Sequence, residues 1–417
     1  MRKEGRSWVV GTVALALGLS LAVGPVLAAD EFKIGVITSL SGDLATGGNV
    51  TKRGYDLWGK AVNAQGGIQI KGKKYPVRLI YGDDQSQPAQ AASAAERLAV
   101  QEKVDVVLGP YASGMTLAAA PVLEKYKIPM ITGSAESPLI WRQKFRYTFG
   151  TIPPVNFTGA AVIRVLAAIP QGPKTAVIYG TNDAFSKATA EAFQATAEQV
   201  GIKVLKFNIL PPKQDLTPLM SAAKVLNPDL IAFGGHDEEL INLVKVLTQL
   251  DFTPKALLMH YGVTEPAFIQ ALGKNANQVL GASVWTGSMQ TKGALGWPTA
   301  KAYADAAVAE YPKDPADYTQ AACSAAGLVF QAALVQLATA PPLDEAARTK
   351  LVEILEKIDL QTFYGRVKFA TEGDYYHSNA GLTPLTVQIT GGKETVVAPA
   401  ESAQTKLSYP MTPWNKR

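Results

Sequence analysis

Between residues 32 and 283, short apolar, β-branched runs alternate with longer stretches whose apolar positions recur every three or four residues. The first series places strands at 32–37, 75–81, 104–108 and 130–131, separated by helices at 51–64, 89–101 and 115–126. A second series repeats the alternation, with strands at 175–179, 204–209, 230–233 and 256–259 and helices at 185–200, 216–225 and 239–250. Strands alternating with helices imply βαβ units and mainly parallel sheets. Two such series make two doubly wound lobes, so the fold class is α/β.

The stretch Phe145-Arg146-Tyr147-Thr148-Phe149-Gly150-Thr151-Ile152-Pro153-Pro154 is extended, β-prone and then punctuated by proline. It reads as the first crossover between lobes. After residues 281–286 the helical period returns at 300–311, 318–337 and 345–358, and these helices are expected to rejoin the first lobe. A last strand set at 365–369, 385–389 and 394–397 is expected to rejoin the second. The lobes then comprise residues 30–149 with 284–363, and 150–283 with 364–400. The polar, proline-dotted stretch from 398 onward is expected to pack poorly, leaving 401–417 as a tail.

The first 29 residues are set apart as a leader. Arg2, Lys3 and Arg6 make a basic start, Trp8 to Val23 is apolar without charge, and Val26-Leu27-Ala28-Ala29 offers small residues for cleavage after Ala28 or Ala29. The apolar run is shorter than the ~20 residues of a spanning helix. No Cys lies near the cleavage site, which excludes a lipid-anchored N-terminus of that type. Removing the leader takes Arg2, Lys3, Arg6 and Glu4 with it and lowers the net charge from +5 to +3. That mild balance, without a Lys/Arg cluster interleaved with aromatics, argues against nucleic acid. Cys323, the single cysteine, can form no intramolecular disulfide and has no local His partner; it reads as a small buried residue. The three histidines lie at no metal-ligand spacing, so neither metal nor cofactor is expected.

Two turns carry the candidate chemistry. Gly109-Pro110-Tyr111-Ala112-Ser113-Gly114 follows one apolar strand, and Gly234-Gly235-His236-Asp237-Glu238-Glu239 follows another. The first offers a hydroxyl and backbone N–H groups to an anion; the second offers carboxylates to an ammonium. Together they suit a zwitterion. In the bland reading Ser113 is a helix cap, the acids offset a helix dipole, and Phe185, Tyr111, Tyr261 and Tyr318 are packing residues.

Several segments resemble the branched-chain amino-acid-binding (Leu/Ile/Val-binding) proteins of bacterial ABC importers. They are Ile34-Gly35-Val36-Ile37-Thr38-Ser39-Leu40-Ser41-Gly42, Asn63-Ala64-Gln65-Gly66-Gly67-Ile68, Asp83-Asp84, Val107-Leu108-Gly109-Pro110, Gly150-Thr151-Ile152 and Thr362-Phe363-Tyr364-Gly365. The resemblance runs in order along nearly the whole mature chain. It implies a type I periplasmic-binding fold with three crossovers and a cleft that closes by hinge bending. It also implies that Ser113 and the loop Ser134-Ala135-Glu136 bind a ligand carboxylate. Glu239 would take the α-ammonium, with Glu238 as fallback, and Phe185 would close over the ligand with Asp183 as a polar neighbour. His236, Tyr111 and Tyr318 are added as pocket candidates. Ligands of open α/β sheets sit beyond the carboxyl ends of the strands, where these loops lie.

Three positions depart from that pattern. Glu136 stands where a Thr or another small polar residue is expected, Thr46-Gly47-Gly48 where an aromatic is frequent, and His236 where Tyr is common. These departures point away from a plain aliphatic amino acid, toward a larger, more polar or amine-bearing solute. The expected function is an exported, periplasmic, monomeric solute-binding protein that delivers an amino acid or related small carboxylate to a membrane permease. The alternative is a sensor-type binding protein for an aromatic or aliphatic carboxylate. Catalysis is the weaker reading: the 42–48 turn lacks both G-x-G-x-x-G and G-x-x-x-x-G-K-[ST], and no G-x-S-x-G elbow is present.

Overall fold

The computed structural model describes Met1, Gly5 and residues 30–417; the expected leader and its cleavage site lie outside the described residues. One open sheet holds five parallel strands in the spatial order Val77–Asp83, Phe32–Thr38, Val106–Leu108, Met130–Thr132, Thr148–Gly150. A second holds seven, in the order Lys393–Ala398, Leu385–Thr390, Leu280–Ser283, Ala256–Met259, Leu230–Gly234, Thr175–Thr181, Lys203–Leu210. Five of the seven are parallel, and the last two strands of the chain add an antiparallel edge. Central strands such as Val106–Leu108 and Leu230–Gly234 are buried along their whole length because helices cover both faces.

The helices Ala300–Glu310, Tyr318–Leu337 and Glu345–Leu355 join the core of the first lobe. Tyr318–Leu337 is apolar almost all round and mostly buried, the signature of a core helix. It packs against Ala45–Ala64 at very short range. A Cβ on Gly54 would lie 2.4 Å from the Gln320 carbonyl oxygen, and one on Gly327 would lie 2.2 Å from the Trp58 ring.

Four differences from the pattern reading bear on how the lobes are built. The first helix begins at Ala45, six residues before the predicted start. A helix at Val155–Ala167, which the periodicity reading omits, follows the proline pair at once and packs into the second lobe. Gly365–Lys368 does not join the second sheet. It pairs with Asp359–Thr362 in a hairpin whose Tyr364, Val367 and Phe369 enter the first-lobe core.

The C-terminal stretch is no loose tail. Met411 and Trp414 are buried against the second lobe, and Trp414 Nε1 donates to the Phe252 carbonyl at 2.7 Å. Met411 N donates to the Lys255 carbonyl and Thr412 N to Gln278 Oε1. Its polar composition hid two apolar anchors spaced three residues apart.

The crossovers are laced together. Asn379 Nδ2 donates to the Thr151 carbonyl at 2.9 Å, Gly150 N to the His377 carbonyl at 3.0 Å, and Trp285 Nε1 to the Phe363 carbonyl at 3.2 Å.

Candidate functional site

On the first-lobe wall, the strand Val106–Leu108 ends in Gly109, whose φ of +89° and close approach to the Ile37 carbonyl leave no room for a Cβ. The tight turn sets Tyr111 and Ala112 ahead of the helix Ser113–Lys125. Ser113 is 1% exposed, and its Oγ accepts from Ser137 N at 3.1 Å. That bond ties the helix start to the neighbouring loop after Met130–Thr132. Within the loop Ser134 Oγ donates to the Tyr111 carbonyl at 2.9 Å, and Ala135 N donates to Thr132 Oγ1 at 3.0 Å.

On the second-lobe wall, Asp183 caps the helix Ala184–Gln199, accepting from Phe185 N and Ser186 N at 2.9 and 3.0 Å. His236 precedes the helix Asp237–Gln249, and Glu239 Oε2 accepts from His236 N at 3.0 Å. Tyr261 follows the strand Ala256–Met259, and its hydroxyl donates to Glu265.

The walls meet around a cavity that its own lining almost fills, with about 10 Å³ of free room, the space of one water molecule. Tyr111, Ser113, Ser134 and Glu136 line it from one side with Ala112 and Thr319, and Phe185, His236 and Tyr261 line it from the other. Tyr111 OH lies 3.1 Å from Tyr261 OH and 3.4 Å from His236 Nδ1. The Phe185 centroid is 5.3 Å from that of His236, 5.7 Å from that of His260 and 6.2 Å from that of Tyr261. The missing aromatic of the first loop has a substitute. A Cβ on Gly47 would fall 2.1 Å from the Tyr111 hydroxyl, so the glycine at 47 makes room for that ring, while Gly48 packs against the Ser39 carbonyl.

The charges follow from these neighbours. Glu136 is 1% exposed, and burial pushes its carboxyl up to about 8, against bonds from Tyr318 and Thr158 that favour ionisation. Tyr318 OH donates to Oε1 at 3.0 Å and Thr158 Oγ1 to Oε2 at 3.4 Å. His260 Nε2 is 3.6 Å from the same oxygen, and burial holds that imidazole down at about 3, so it is neutral. Burial also opposes a charge on His236, but the Asp183 carboxylate, 3.4 Å from Nε2, raises the imidazole to about 9. Asp183 is held down at about 2 in spite of burial, by His236 and the Ser186 N–H. Deeper in, burial pushes the carboxyls of Asp237, Glu265 and Asp317 upward. Among the described residues no trio of His, Cys, Asp or Glu is placed to hold a metal ion.

Six of the nine expected site residues therefore share one cavity: Tyr111, Ser113, Ser134, Glu136, Phe185 and His236. Tyr318 reaches it through Glu136. Ala135 is buried and its N–H is already bonded within its own loop. Glu239 is absent from that lining: its carboxylate closes a capping box and borders two grooves beside Glu238, one of which lies between the lobes and is shared with Asp183 and His236. A first-turn acid three residues after a cap position is itself the sequence signature of that box. Thr158 and His260, the inner neighbours of Glu136, had no signal in the chain; Thr319 had only its position beside Tyr318.

Comparisons with known proteins agree with this architecture. A family model described as periplasmic binding protein matches residues 31–387. The Leu/Ile/Val-binding protein BraC3 of Rhizobium johnstonii is 27% identical over 364 residues, 87% of this chain and 94% of that one. The branched-chain amino acid transporter substrate-binding protein LivJ of Streptococcus pneumoniae, solved with isoleucine, superposes with a TM-score of 0.76 at 22% identity. That match covers 89% of this chain and all of LivJ. A solute-binding protein of an ABC transporter from Rhodopseudomonas palustris, solved with 3,4-dihydroxybenzoic acid, gives 0.74 at 18% identity, covering 93% and 100%. At those identities the two structures speak for the fold.

Proposed function

The chain belongs to the periplasmic binding protein family, and from that premise we propose that its cavity receives an amino acid or a related small carboxylate for an ABC importer. One observation carries the reading: side chains of both lobes converge on a small cavity lined by hydroxyls, aromatic rings and an imidazole paired with Asp183, and both lobes also line a wider groove that shares His236 with it. Such a site immobilises a compact polar solute and closes over it by hinge motion. The relative BraC3 is a Leu/Ile/Val-binding protein, and LivJ holds isoleucine, which supports the same class of solute here. The solute leaves chemically unchanged. Export to the periplasm with removal of the leader after Ala28 or Ala29, action as a monomer and docking to a membrane permease complete the proposal.

The rings favour a second reading. Tyr111, Phe185 and Tyr261 form a wall suited to a flat carboxylate, and the Rhodopseudomonas protein holds 3,4-dihydroxybenzoic acid. A sensor-type binding protein for an aromatic or aliphatic carboxylate would use the same wall. Calorimetry with protein stripped by unfolding and refolding separates the two, using the twenty amino acids and a set of aromatic and aliphatic carboxylates. Tight binding of amino acids supports the first reading, and binding of amine-free carboxylates alone supports the second. Silence across both sets overturns the assignment.

A further inference from the structure

We propose that the second lobe carries an anion site on the side away from the cleft, a groove in which Arg417, Lys416 and Ser408 receive an oxyanion of the phosphate class. The site is separate from the cleft and does not depend on which solute the cleft holds.

Three pieces of chain build the groove. The short helical turn Gly273–Ala276 leads into Asn277 and Gln278, Thr390 and Gly391 turn between the last two strands, and the segment 408–417 closes the side. Gln278 stands just before the parallel strand Leu280–Ser283, so the groove lies at the amino end of a strand, whereas the cleft lies beyond the carboxyl ends. It has about 360 Å³ of free room, enough for many waters. Lys274, Lys416 and Arg417 line it, and no Asp or Glu side chain does.

Arg417 is the fixed member of the set. Its guanidinium lies 3.9 Å over the buried Trp414 ring, Nε donates to the Thr412 carbonyl at 2.8 Å, and Nη1 donates to the Asn277 carbonyl at 2.8 Å. Those contacts leave Nη2, which is shielded from solvent and has no partner among the described residues. A buried guanidinium nitrogen without an acceptor is costly, and an anionic oxygen removes that cost with a charge-assisted bond. Burial lowers the guanidinium pKa to about 10, so the group is still a cation at neutral pH.

The neighbours complete the donor set. Gln278 Oε1 accepts from Thr412 N at 2.7 Å, and its Nε2 donates to Ser408 Oγ at 2.6 Å, which leaves the Ser408 hydroxyl hydrogen to donate. Lys274 Nζ donates to the Arg417 main-chain oxygen at 2.9 Å. A carboxylate at that main-chain position would offset one of the three positive charges and leave two. A preset guanidinium, a flexible ammonium and a hydroxyl together suit the oxygens of a phosphate, and the surplus charge suits its ionisation. The same chemistry is met by free phosphate and by the phosphate of an anionic lipid head.

The test titrates inorganic phosphate into the full-length protein by calorimetry in low-salt chloride buffer, and compares Lys416→Gln and Arg417→Gln with the wild type. Saturable binding is expected, weakened about tenfold or more by either variant and reduced in high salt. Arg417→Gln also gives up the stack on Trp414, so Lys416→Gln, which leaves that scaffold in place, is the decisive variant. Flotation with phosphatidylglycerol and phosphatidylcholine vesicles separates the two sources. Phosphate binding that both variants weaken upholds the site, and without vesicle retention it assigns a free oxyanion. Retention on phosphatidylglycerol but not phosphatidylcholine vesicles, lost in both variants, upholds it and assigns a lipid head. Phosphate binding that neither variant changes places the ion elsewhere and overturns the proposal, as does failure to bind both phosphate and the anionic vesicles.

Discussion

Tyr111 from the first lobe and Tyr261 from the second meet hydroxyl to hydroxyl at 3.1 Å across the cleft, with Tyr111 as donor, and Tyr261 in turn donates to the Glu265 carboxyl. The closed arrangement thus has a polar latch that is independent of any solute. Tyr111→Phe removes it and leaves the ring in place. A buried neutral hydrogen bond contributes about 1 kcal/mol, so the ligand-free protein should shift toward an open form. Small-angle scattering of the stripped protein should show a larger radius of gyration for the variant, with the difference lost on adding solute. Identical curves without solute would remove the latch.

Gly47 is the complementary lever. A methyl group there would collide with the Tyr111 hydroxyl and Cζ at 2.1 and 2.2 Å and push the ring off Tyr261 and His236. Alanine also suits the interior of the helix Ala45–Ala64 better than glycine. Gly47→Ala should therefore keep or raise the melting temperature while affinity drops by about tenfold. A loss of both together would mean that the ring cannot yield and the helix must move.

Glu136 should be visible in the pH dependence of stability. Its carboxyl sits at about 8 in the fold against the ordinary 4.5, so between those values the folded protein keeps a proton that the unfolded chain has lost. Stability then falls as pH rises from 4.5 toward 8, and above 8 the full cost applies, on the order of a few kcal/mol. Glutamine carries no such cost. Melting curves of the ligand-free wild type and Glu136→Gln should lie close at pH 5 and separate above pH 8, with the variant higher. Parallel curves would mean that the carboxyl is ionised throughout.

Much of this was legible in the chain. The strands come from apolar runs such as Leu230–Gly234, and Ser113, Glu136 and His236 stand at strand ends where an open sheet keeps its ligands. Three things were hidden, each for a physical reason. The helix Val155–Ala167 buries one face at helical spacing, Val155, Thr158, Gly159, Val162, Ile163 and Leu166, but an exposed Phe157 and small or polar residues on that face blur the pattern in the chain. Glu239 carries the same charge whether it takes a ligand or a backbone N–H, so its charge alone does not reveal that its Oε2 accepts from His236 N. The Glu136–Thr158–His260 contact joins residues more than a hundred positions apart, a register that no local motif reports.

The ion pair at the mouth of the cleft should matter little. Lys213 Nζ reaches the Asp43 carboxylate at 2.8 and 3.0 Å, but both side chains are largely exposed. Such pairs contribute less than about 1 kcal/mol and are screened by salt. Asp43→Asn should change affinity by less than about fivefold at low ionic strength, and the change should vanish in high salt. A large, salt-insensitive loss would place Asp43 against the solute.

Trp414 should cost far more although it lies three residues from the end. Its ring is buried, its Nε1 bonds the Phe252 carbonyl, and the Arg417 guanidinium stacks 3.9 Å from it. Trp414→Ala should destabilise the second lobe by about 3 kcal/mol or more. Calorimetric unfolding should show the loss while solute affinity at low temperature is kept.

The strand order also dictates when this protein can fold. The edge of the second sheet is built from Leu385–Thr390 and Lys393–Ala398, and residues near 411–414 clamp the segment at 252–255. The first lobe waits as well, since its core takes in helices as late as Glu345–Leu355 and the hairpin that ends at Lys368. Neither lobe can therefore close around the N-terminal part of a growing chain. Each lobe is completed only by segments that lie far along the chain, so neither is a unit that the first half of the sequence could build by itself.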